Sequence, residues 1–361
     1  MNERERFLRT LTCSSPDRPT YADYLAYDST RARWEKEGMP AGCNMYRHFG
    51  FDHANIWDED CIPCDWSFSG IRKRNLVEET SDYQIWIDSN GITNKYLKNC
   101  PPPAMPQHIA FPVTGHDSWL EYKKLILCSS PDYFKFDFRS DKINPQREHP
   151  IGMWIGSSYG IIRNCMGVEN VSLAVYDEPG LISEMVEFFT DFYTEKLKLV
   201  LKKTTPDWVM FWEDMAYKNG SLINPKLYED LFLSFYRKIM PVVTSAGIKV
   251  VMLDCDGNID QLIPIWLELG ISVMHPLEVA ADMDVRNVRK KYGNKVKFFG
   301  GIDKRILSGG KEAIQKEVYG KVSSLLDAGG FIPACDHGVP PDVSYDNFRF
   351  YREKVRKACG E

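Results

Sequence analysis

The second half of the chain alternates short apolar runs with helical patterns, and this alternation constrains the fold more than any other feature. From about Asp207 onward, residues 208–212 and 249–253 are typical of strands, while residues 227–240 and 311–326 carry apolar side chains at helical spacing. Strands that alternate with helices in this way predict right-handed βαβ units and a parallel sheet. The predicted fold class is therefore α/β, with a TIM (β/α)8 barrel as the leading architecture.

An open doubly wound sheet is the alternative to a barrel. That fold usually carries a Gly-x-Gly-x-x-Gly turn, and none follows any strand pattern here. Acidic residues and a histidine instead stand directly after several strands, where barrel enzymes place their chemistry. We expect residues 1–361 to form a single barrel domain, with a partly β-rich elaboration inserted at about 58–146.

The composition argues against several classes of partner. The chain has 361 residues, of which 45 are basic and 50 acidic, and its formal net charge is −5. This charge gives no electrostatic reason to expect nucleic acid or an anionic membrane. Four of the first six residues are charged, and no window approaches the roughly 20 apolar residues of a bilayer span. We expect a cytoplasmic protein that acts on small molecules or proteins, with a homodimer as one option.

The segment Asp254-Cys255-Asp256-Gly257-Asn258 directly follows the apolar run 248–253. Strand side chains alternate with period two, so both aspartates are expected to point to one side and Cys255 to the other. Two carboxylates in this arrangement can hold a cation or move a proton. The alternative is a solvated turn in which an aspartate supports Gly257.

Other polar residues follow neighbouring strand patterns. Glu213 and Asp214 follow one strand, Glu278 follows another, and His337 follows the last. Because the carboxyl ends of parallel strands meet at one edge, we expect these side chains to converge. Glu213 or Asp214 could protonate a leaving oxygen or cap a helix, and Asp336 could fix the tautomer of His337.

Several segments together resemble the uroporphyrinogen decarboxylase superfamily. They are the opening 2–7 with 16–19, then Glu-Asp-Met-Ala-Tyr-Lys-Asn-Gly at 213–220, Phe-Gly-Gly-Ile-Asp at 299–303, Gly-Gly-Phe-Ile-Pro at 329–333 and His-Gly-Val-Pro-Pro-Asp at 337–342. The resemblance covers both ends and nearly all of the second half, and it implies a TIM barrel. This superfamily divides into tetrapyrrole decarboxylases and corrinoid-linked methyltransferases, which differ in their site residues.

The site residues of this chain resemble the methyltransferase branch more than the decarboxylase branch. The decarboxylases carry arginines that hold propionate groups in an N-terminal segment, and the corresponding residues 21–27 contain none. The methyltransferases bind zinc through His-x-Cys and a later Cys, with a Glu between. Asp254, Asp256, Glu278 and His337 fall on those positions. The resemblance therefore implies a divalent metal, with Zn²⁺ first and Mn²⁺ or Fe²⁺ more competitive at oxygen ligands.

The leading hypothesis is a corrinoid-dependent methyltransferase. It would move a methyl group between a small methylated or methoxylated substrate and the cobalt of a separate corrinoid protein, with the metal as a Lewis acid. The catalytic candidates are Glu213, Asp214, Asp256 and His337. The alternatives are a metal-independent decarboxylase or lyase that acts on a small carboxylated substrate, and a barrel that binds a ligand or a corrinoid protein without turnover.

Overall fold

A computed structural model describes residues 1–24, 26–53, 56, 61–62, 73–100, 105–133 and 143–361, without the side chains of 129–133. Within these residues the α-helices, α1 to α12 in chain order, are Glu3–Leu11, Asp28–Lys36, Met45–Phe49, His116–Tyr133, Tyr159–Met166, Val168–Asp177, Pro179–Leu201, Pro225–Ser245, Ile263–Glu268, Val285–Tyr292, Lys311–Leu325 and Tyr345–Ala358. Short 3₁₀ turns lie at Val279–Ala281, Gly293–Lys295 and Lys304–Ser308. None of the described helices has the length and apolar character needed to cross a membrane.

The strands of the described chain form one parallel sheet and two antiparallel ones. In chain order, β1 to β12 are Asn75–Glu79, Tyr83–Ile87, Thr93–Leu97, Gln107–Ala110, Gly152–Trp154, Trp208–Trp212, Ala216–Tyr217, Gly220–Ser221, Val250–Asp254, Val273–His275, Lys297–Ile302 and Phe331–Cys335. The antiparallel sheets are β1-β2-β3-β4, which lies inside the predicted elaboration, and the hairpin β7-β8.

The parallel sheet has the strand order β12-β11-β10-β9-β6-β5. Two single parallel bridges extend it, because Ala26 pairs with Val339 beyond β12 and Cys61 pairs with Gly152 of β5. These bridges add a strand position at each edge of the six-stranded sheet. The predicted α/β class, with helices packed against a parallel sheet and a β-rich insertion in the first half, is confirmed.

Alternating side chains divide the parallel sheet into two buried faces. On β9, Val250 and Met252 belong to a cluster that includes Phe7 and Leu11 of α1, which lie on the inner face. Val251 packs with the helices of the outer layer in a separate and larger cluster. This alternation predicts the direction of the polar residues at the strand ends, since each continues the parity of its strand.

A buried ion pair holds the N-terminal segment 20–27 against the end of β12. The carboxylate of Asp23 accepts hydrogen bonds from the backbone N–H of Cys335 at 2.8 Å and from Arg352 Nη1 at 2.7 Å. The side chains of Asp23 and Arg352 are 0% and 4% exposed. A buried charge that loses its partner is strongly destabilising, so this pair fixes where the segment lies.

Substituting Asp23→Ala is expected to lower the free energy of unfolding by about 3–5 kcal/mol, because it leaves the Arg352 charge buried without its carboxylate. Urea denaturation followed by circular dichroism measures the change. Glu353→Ala is the matched control, since it breaks an exposed pair with Lys357 and should leave the denaturation midpoint unchanged. Equal midpoints for the two variants would contradict the anchoring role of Asp23.

Candidate active site

Asp254 ends β9 on the inner face, where it lies level with Trp212 of β6 and His275 of β10. It continues the parity of Val250 and Met252, so its carboxyl group points into the top of the barrel. Only 6% of the residue is exposed. Burial, together with neighbouring carboxylates, raises the pKa of Asp254 well above its usual value, which favours the protonated acid.

The turn that follows β9 is held by carboxylates from two neighbouring strand ends. The N–H of Asp256 donates to Asp214 Oδ1 at 3.2 Å, and the N–H of Gly257 donates to Glu278 Oε2 at 3.1 Å. Gly257 has φ +82°, and a Cβ there would lie 2.7 Å from the carbonyl group of Ala216. Only glycine fits this turn without moving the backbone.

Asp256 is the partly accessible acid of the site. Its side chain is 39% exposed. Burial, followed by the charges of Asp214 and Glu278, raises the pKa of Asp256 to about 7, while Lys304 opposes the shift. A carboxyl group with this pKa can both donate and accept a proton near neutral pH, which is the requirement for general acid–base chemistry.

His337 faces Asp256, with Nε2 at 3.7 Å from Oδ2. Its other ring nitrogen, Nδ1, lies 2.7 Å from the backbone N of Gly338 and 3.0 Å from the hydroxyl of Tyr27. An amide N–H can only donate, so Nδ1 carries no proton and Tyr27 also donates to it. Burial and the charge of Lys304 lower the pKa of His337, so the neutral ring carries its proton on Nε2.

Tyr24 lies between two histidine rings. Its ring stacks on His275 at 4.9 Å and on His337 at 5.4 Å between centroids. His275 Nδ1 lies 2.7 Å from the carbonyl oxygen of Phe299, and its Nε2 lies 2.8 Å from the Tyr24 hydroxyl. Burial lowers the pKa of His275 to about 3, so the ring is neutral, donates from Nδ1 and accepts from Tyr24.

Asp214 is held by Arg163 at the rim of the site. Arg163 Nη1 lies 3.0 Å from Asp214 Oδ2, and the guanidinium group stacks over the ring of Trp212 at 4.6 Å. Arg163 and Asp214 line a cavity of about 480 Å³ together with Asp256 and Glu278. Asp214, Asp256 and Glu278, which were expected to converge, therefore line the same cavity.

Glu213 occupies a different place from its neighbour Asp214. It is 0% exposed, and its carboxylate accepts from the N–H groups of Ser158 and Gly160 at 3.0 and 2.9 Å. The hydroxyl of Tyr236 also donates to it. Burial raises the pKa of Glu213. These partners place Glu213 at the start of α5, in line with the helix-capping alternative, and Glu213 is not among the residues that line the cavity beside Asp214.

The carboxylate of Asp336 does not orient His337, although the sequence suggested that it could. It accepts instead from the backbone N–H groups of Val279 at 2.9 Å and Lys304 at 3.0 Å. Asp336 therefore ties together two loops that follow neighbouring strands. Gly338 and Tyr27 are the groups that contact Nδ1 of His337.

The four predicted metal ligands do not form a metal site in this arrangement. Among the residues that the structure describes, no group of three or more His, Cys, Asp or Glu side chains could hold an ion. A histidine that binds a metal presents one bare nitrogen and usually donates its other N–H to an acceptor. Here Nδ1 of His337 faces an amide donor, so Nε2 keeps its proton. We assign no chemical step to a metal.

Three residues of the site were not identified from the sequence: Tyr24, Tyr27 and Arg163. The hydroxyl of Tyr27 meets a ring 310 positions later in the chain. Residues 21–27 contain tyrosines at positions 21, 24 and 27, and this regular spacing is the signal from which Tyr24 and Tyr27 could have been identified. Arg163 lies on a helix whose position next to Trp212 depends on tertiary packing.

Comparisons with known proteins concern both sequence and structure. The profile of the family "Uroporphyrinogen decarboxylase (URO-D)" matches residues 141–358, which is more than half of the chain. Uroporphyrinogen decarboxylase of Legionella pneumophila (strain Paris) is 25% identical over 180 residues, covering 49% of this chain and 47% of that protein. The enzyme of that name from Pseudoalteromonas atlantica is 27% identical over 142 residues, covering 38% and 39%. The chain spans less than half the length of these curated relatives.

A solved structure, a methyltransferase from Methanosarcina mazei, matches the whole chain. The TM-score is 0.61 at 12% sequence identity, and the match covers 99% of each chain. At this level of identity the similarity concerns the fold. It extends to the part of the chain before residue 141, which the family profile does not match.

Substituting Asp256→Asn is expected to change how stability depends on pH. The pKa of Asp256 is about 7 in the folded chain against a usual value of 3.8, so the folded state binds more protons between these values. The contribution of Asp256 to wild-type stability therefore falls as pH rises from about 4 to 8, and the variant escapes this loss. Because the side chain is partly exposed, we expect a relative gain of about 1–2 kcal/mol at pH 8. Urea denaturation of both proteins at pH 4.5 and 8 measures it, and a constant difference would contradict the shift.

Proposed function

Since the chain belongs to the uroporphyrinogen decarboxylase family, we propose that it is a methyltransferase that acts with a separate corrinoid protein. It moves a methyl group between a small methylated substrate and the cobalt of that partner. The observation that carries the proposal is the facing pair of Asp256 and His337, 3.7 Å apart at the inner mouth of the barrel. A carboxyl group with a pKa of about 7 beside an imidazole N–H suits the release of an oxygen or nitrogen leaving group.

Two further observations support methyl transfer. The solved structure that matches the fold over 99% of each chain bears the name methyltransferase. Residues 21–27 contain no arginine to hold propionate groups, and this segment places Tyr24 and Tyr27 beside His337 instead. The phenol groups carry no positive charge, so this segment offers no clamp for propionate groups.

The residues of this chain supply proton transfer and orientation. The partner's corrinoid supplies the nucleophile that takes the methyl group. When the bond from the methyl carbon to the substrate oxygen or nitrogen breaks, the electron pair stays on that atom and the proton of Asp256 neutralises it. The Nε2–H of His337 can donate a hydrogen bond to the same atom. Burial raises the pKa of Asp254 and favours its protonated form, so Asp254 adds no further negative charge beside Asp256.

A metal-independent decarboxylase or lyase is the second candidate. The curated relatives, which this chain matches over less than half of their own length, are named uroporphyrinogen decarboxylases. Decarboxylation leaves a carbanion that takes a proton, and Asp256 could supply it as well as it could protonate an oxygen. The missing arginines point to a small carboxylated substrate rather than a tetrapyrrole. Release of labelled CO₂ from a panel of small carboxylic acids, without cobalamin, would favour this candidate.

Methyl transfer to cobalt(I) cobalamin is expected with at least one member of a panel of methoxylated and methylamine compounds. Asp256→Asn should lower the rate by about 10²–10⁴-fold, because an amide cannot donate the proton to the leaving atom. The absorbance change on methylation of cobalamin measures the rate.

The matched control for this experiment is Asp282→Asn. Asp282 is exposed and has φ +64°, a conformation that asparagine tolerates, so the change removes a nearby carboxylate without strain. We expect this variant to keep the wild-type rate. A flat response of the wild-type protein across the whole panel, or equal rates for Asp256→Asn and Asp282→Asn, would count against the proposal.

A separate measurement tests whether activity requires the metal ion that the sequence predicts. Since His337 keeps its proton on Nε2, we expect activity to survive dialysis against a chelator. Elemental analysis of the dialysed protein reports the metal content beside the activity. One equivalent of zinc that is lost together with activity, and restored with it, would return Asp254, Asp256, Glu278 and His337 to the role of ligands.

A further inference from the structure

The N-terminal segment and the segment after β12 meet at the candidate active site. Asp23 accepts the N–H of Cys335, and Ala26 forms a parallel bridge with Val339. Each contact lies one residue before a tyrosine, Tyr24 or Tyr27, whose side chain reaches His337. The N-terminal segment is therefore fixed to the chain two residues before and two residues after His337, at Cys335 and Val339.

The contacts of His337 restrict both its plane and its tautomer. Tyr24 lies nearly parallel to the ring, at an interplanar angle of 10°, which limits tilting. Tyr27 approaches Nδ1 with its hydroxyl at 3.0 Å and rotates the ring so that Nε2 is directed at Asp256. The backbone N–H of Gly338 reaches the same nitrogen, and two donors on Nδ1 leave the proton on Nε2.

We propose that Tyr27 is a positioning residue, which holds His337 in the Nε2–H tautomer and directs that N–H toward Asp256. The consequence for catalysis rests on the proposed function, whereas the tautomer itself does not. Tyr27 acts through His337 and does not need to touch the substrate. Its hydroxyl occupies the position beside Nδ1 that Asp336 was expected to occupy. The direction of the hydrogen bond is reversed, because a phenol donates to Nδ1 whereas a carboxylate would accept from an Nδ1–H.

The absence of a side chain at position 338 allows this contact. A Cβ on Gly338 would lie 3.0 Å from Cζ and 3.2 Å from the hydroxyl oxygen of Tyr27. Alanine at this position keeps the backbone N–H but forces the phenol ring to shift by a few tenths of an ångström. Gly338→Ala thus disturbs the Tyr27 contact through a second route that leaves the hydroxyl chemically intact.

Nitrogen-15 NMR of the full chain, labelled at its seven histidines, tests the inference directly. His337→Gln assigns the resonances, and spectra at pH 8 keep the ring neutral. We expect a bare, hydrogen-bonded Nδ1 and a protonated Nε2 in the wild-type protein. In Tyr27→Phe the Gly338 N–H remains the one donor to Nδ1. The loss of the second hydrogen bond should raise the ratio of Nδ1–H to Nε2–H rings by about fivefold, and the Nδ1 resonance should move toward that of a more weakly hydrogen-bonded nitrogen. Gly338→Ala should move it in the same direction.

Tyr24→Phe is the matched control, since it keeps the stacked ring and removes only the hydroxyl that binds His275. Its His337 resonances should match those of the wild type. A proton on Nδ1 in the wild-type protein would overturn the inference, as would His337 resonances that are unchanged in Tyr27→Phe.

Kinetics separate this inference from the proposed function. With a methylated substrate in hand, Tyr27→Phe should lower kcat about tenfold and leave KM nearly unchanged, because a misdirected N–H affects the reacting atom more than substrate binding. If the tautomer is as expected but wild-type protein transfers no methyl group, the proposed function fails and the positioning role stands. Equal kcat values in an active protein would overturn the role of Tyr27.

Discussion

The hydrogen-bond register of the parallel sheet is the constraint on which the rest of the structure depends. It places Asp254 level with Trp212 and His275, so that polar groups from three strands meet at one height inside the barrel. A slip of one residue in β9 would exchange Asp254 with Cys255, sending a carboxyl group into the outer apolar layer. The apolar residues of both faces therefore specify the site as strongly as its polar residues do.

Negative charge is concentrated at the mouth of the barrel with little to balance it. Asp214 is paired with Arg163, but Asp254 and Asp256 have no such cation within hydrogen-bond reach among the described residues. Protonation reduces the remaining repulsion between the carboxylates, because burial and neighbouring carboxylates raise the pKa values of both Asp254 and Asp256. An arrangement that lowers stability in this way is common where chemistry requires a group near its pKa.

The sequence predicted the scaffold and part of the site, for reasons that differ between residues. Strand and helix patterns are local, so β6, β9 and α11 lie within a few residues of their predicted positions, and Cys255 points outward as strand parity requires. The same parity rule, applied to Glu213, would have placed it outside the cavity. The contact between Tyr27 and His337 depends on how the N-terminal segment packs beside the segment that follows β12. No local sequence pattern predicts this long-range packing.

The close approach of Tyr27 to Gly338 has a consequence for how the protein is made. The two residues are more than 300 positions apart, so Asp254 and Asp256 are synthesised well before the contact between Tyr27 and His337 can form. Synthesis proceeds from the N-terminus, and long-range contacts form late because they close large loops. A nascent or truncated chain that ends before His337 therefore holds the two aspartates without the imidazole that faces Asp256, and the proposed acid–base pair forms only when both ends of the chain are present.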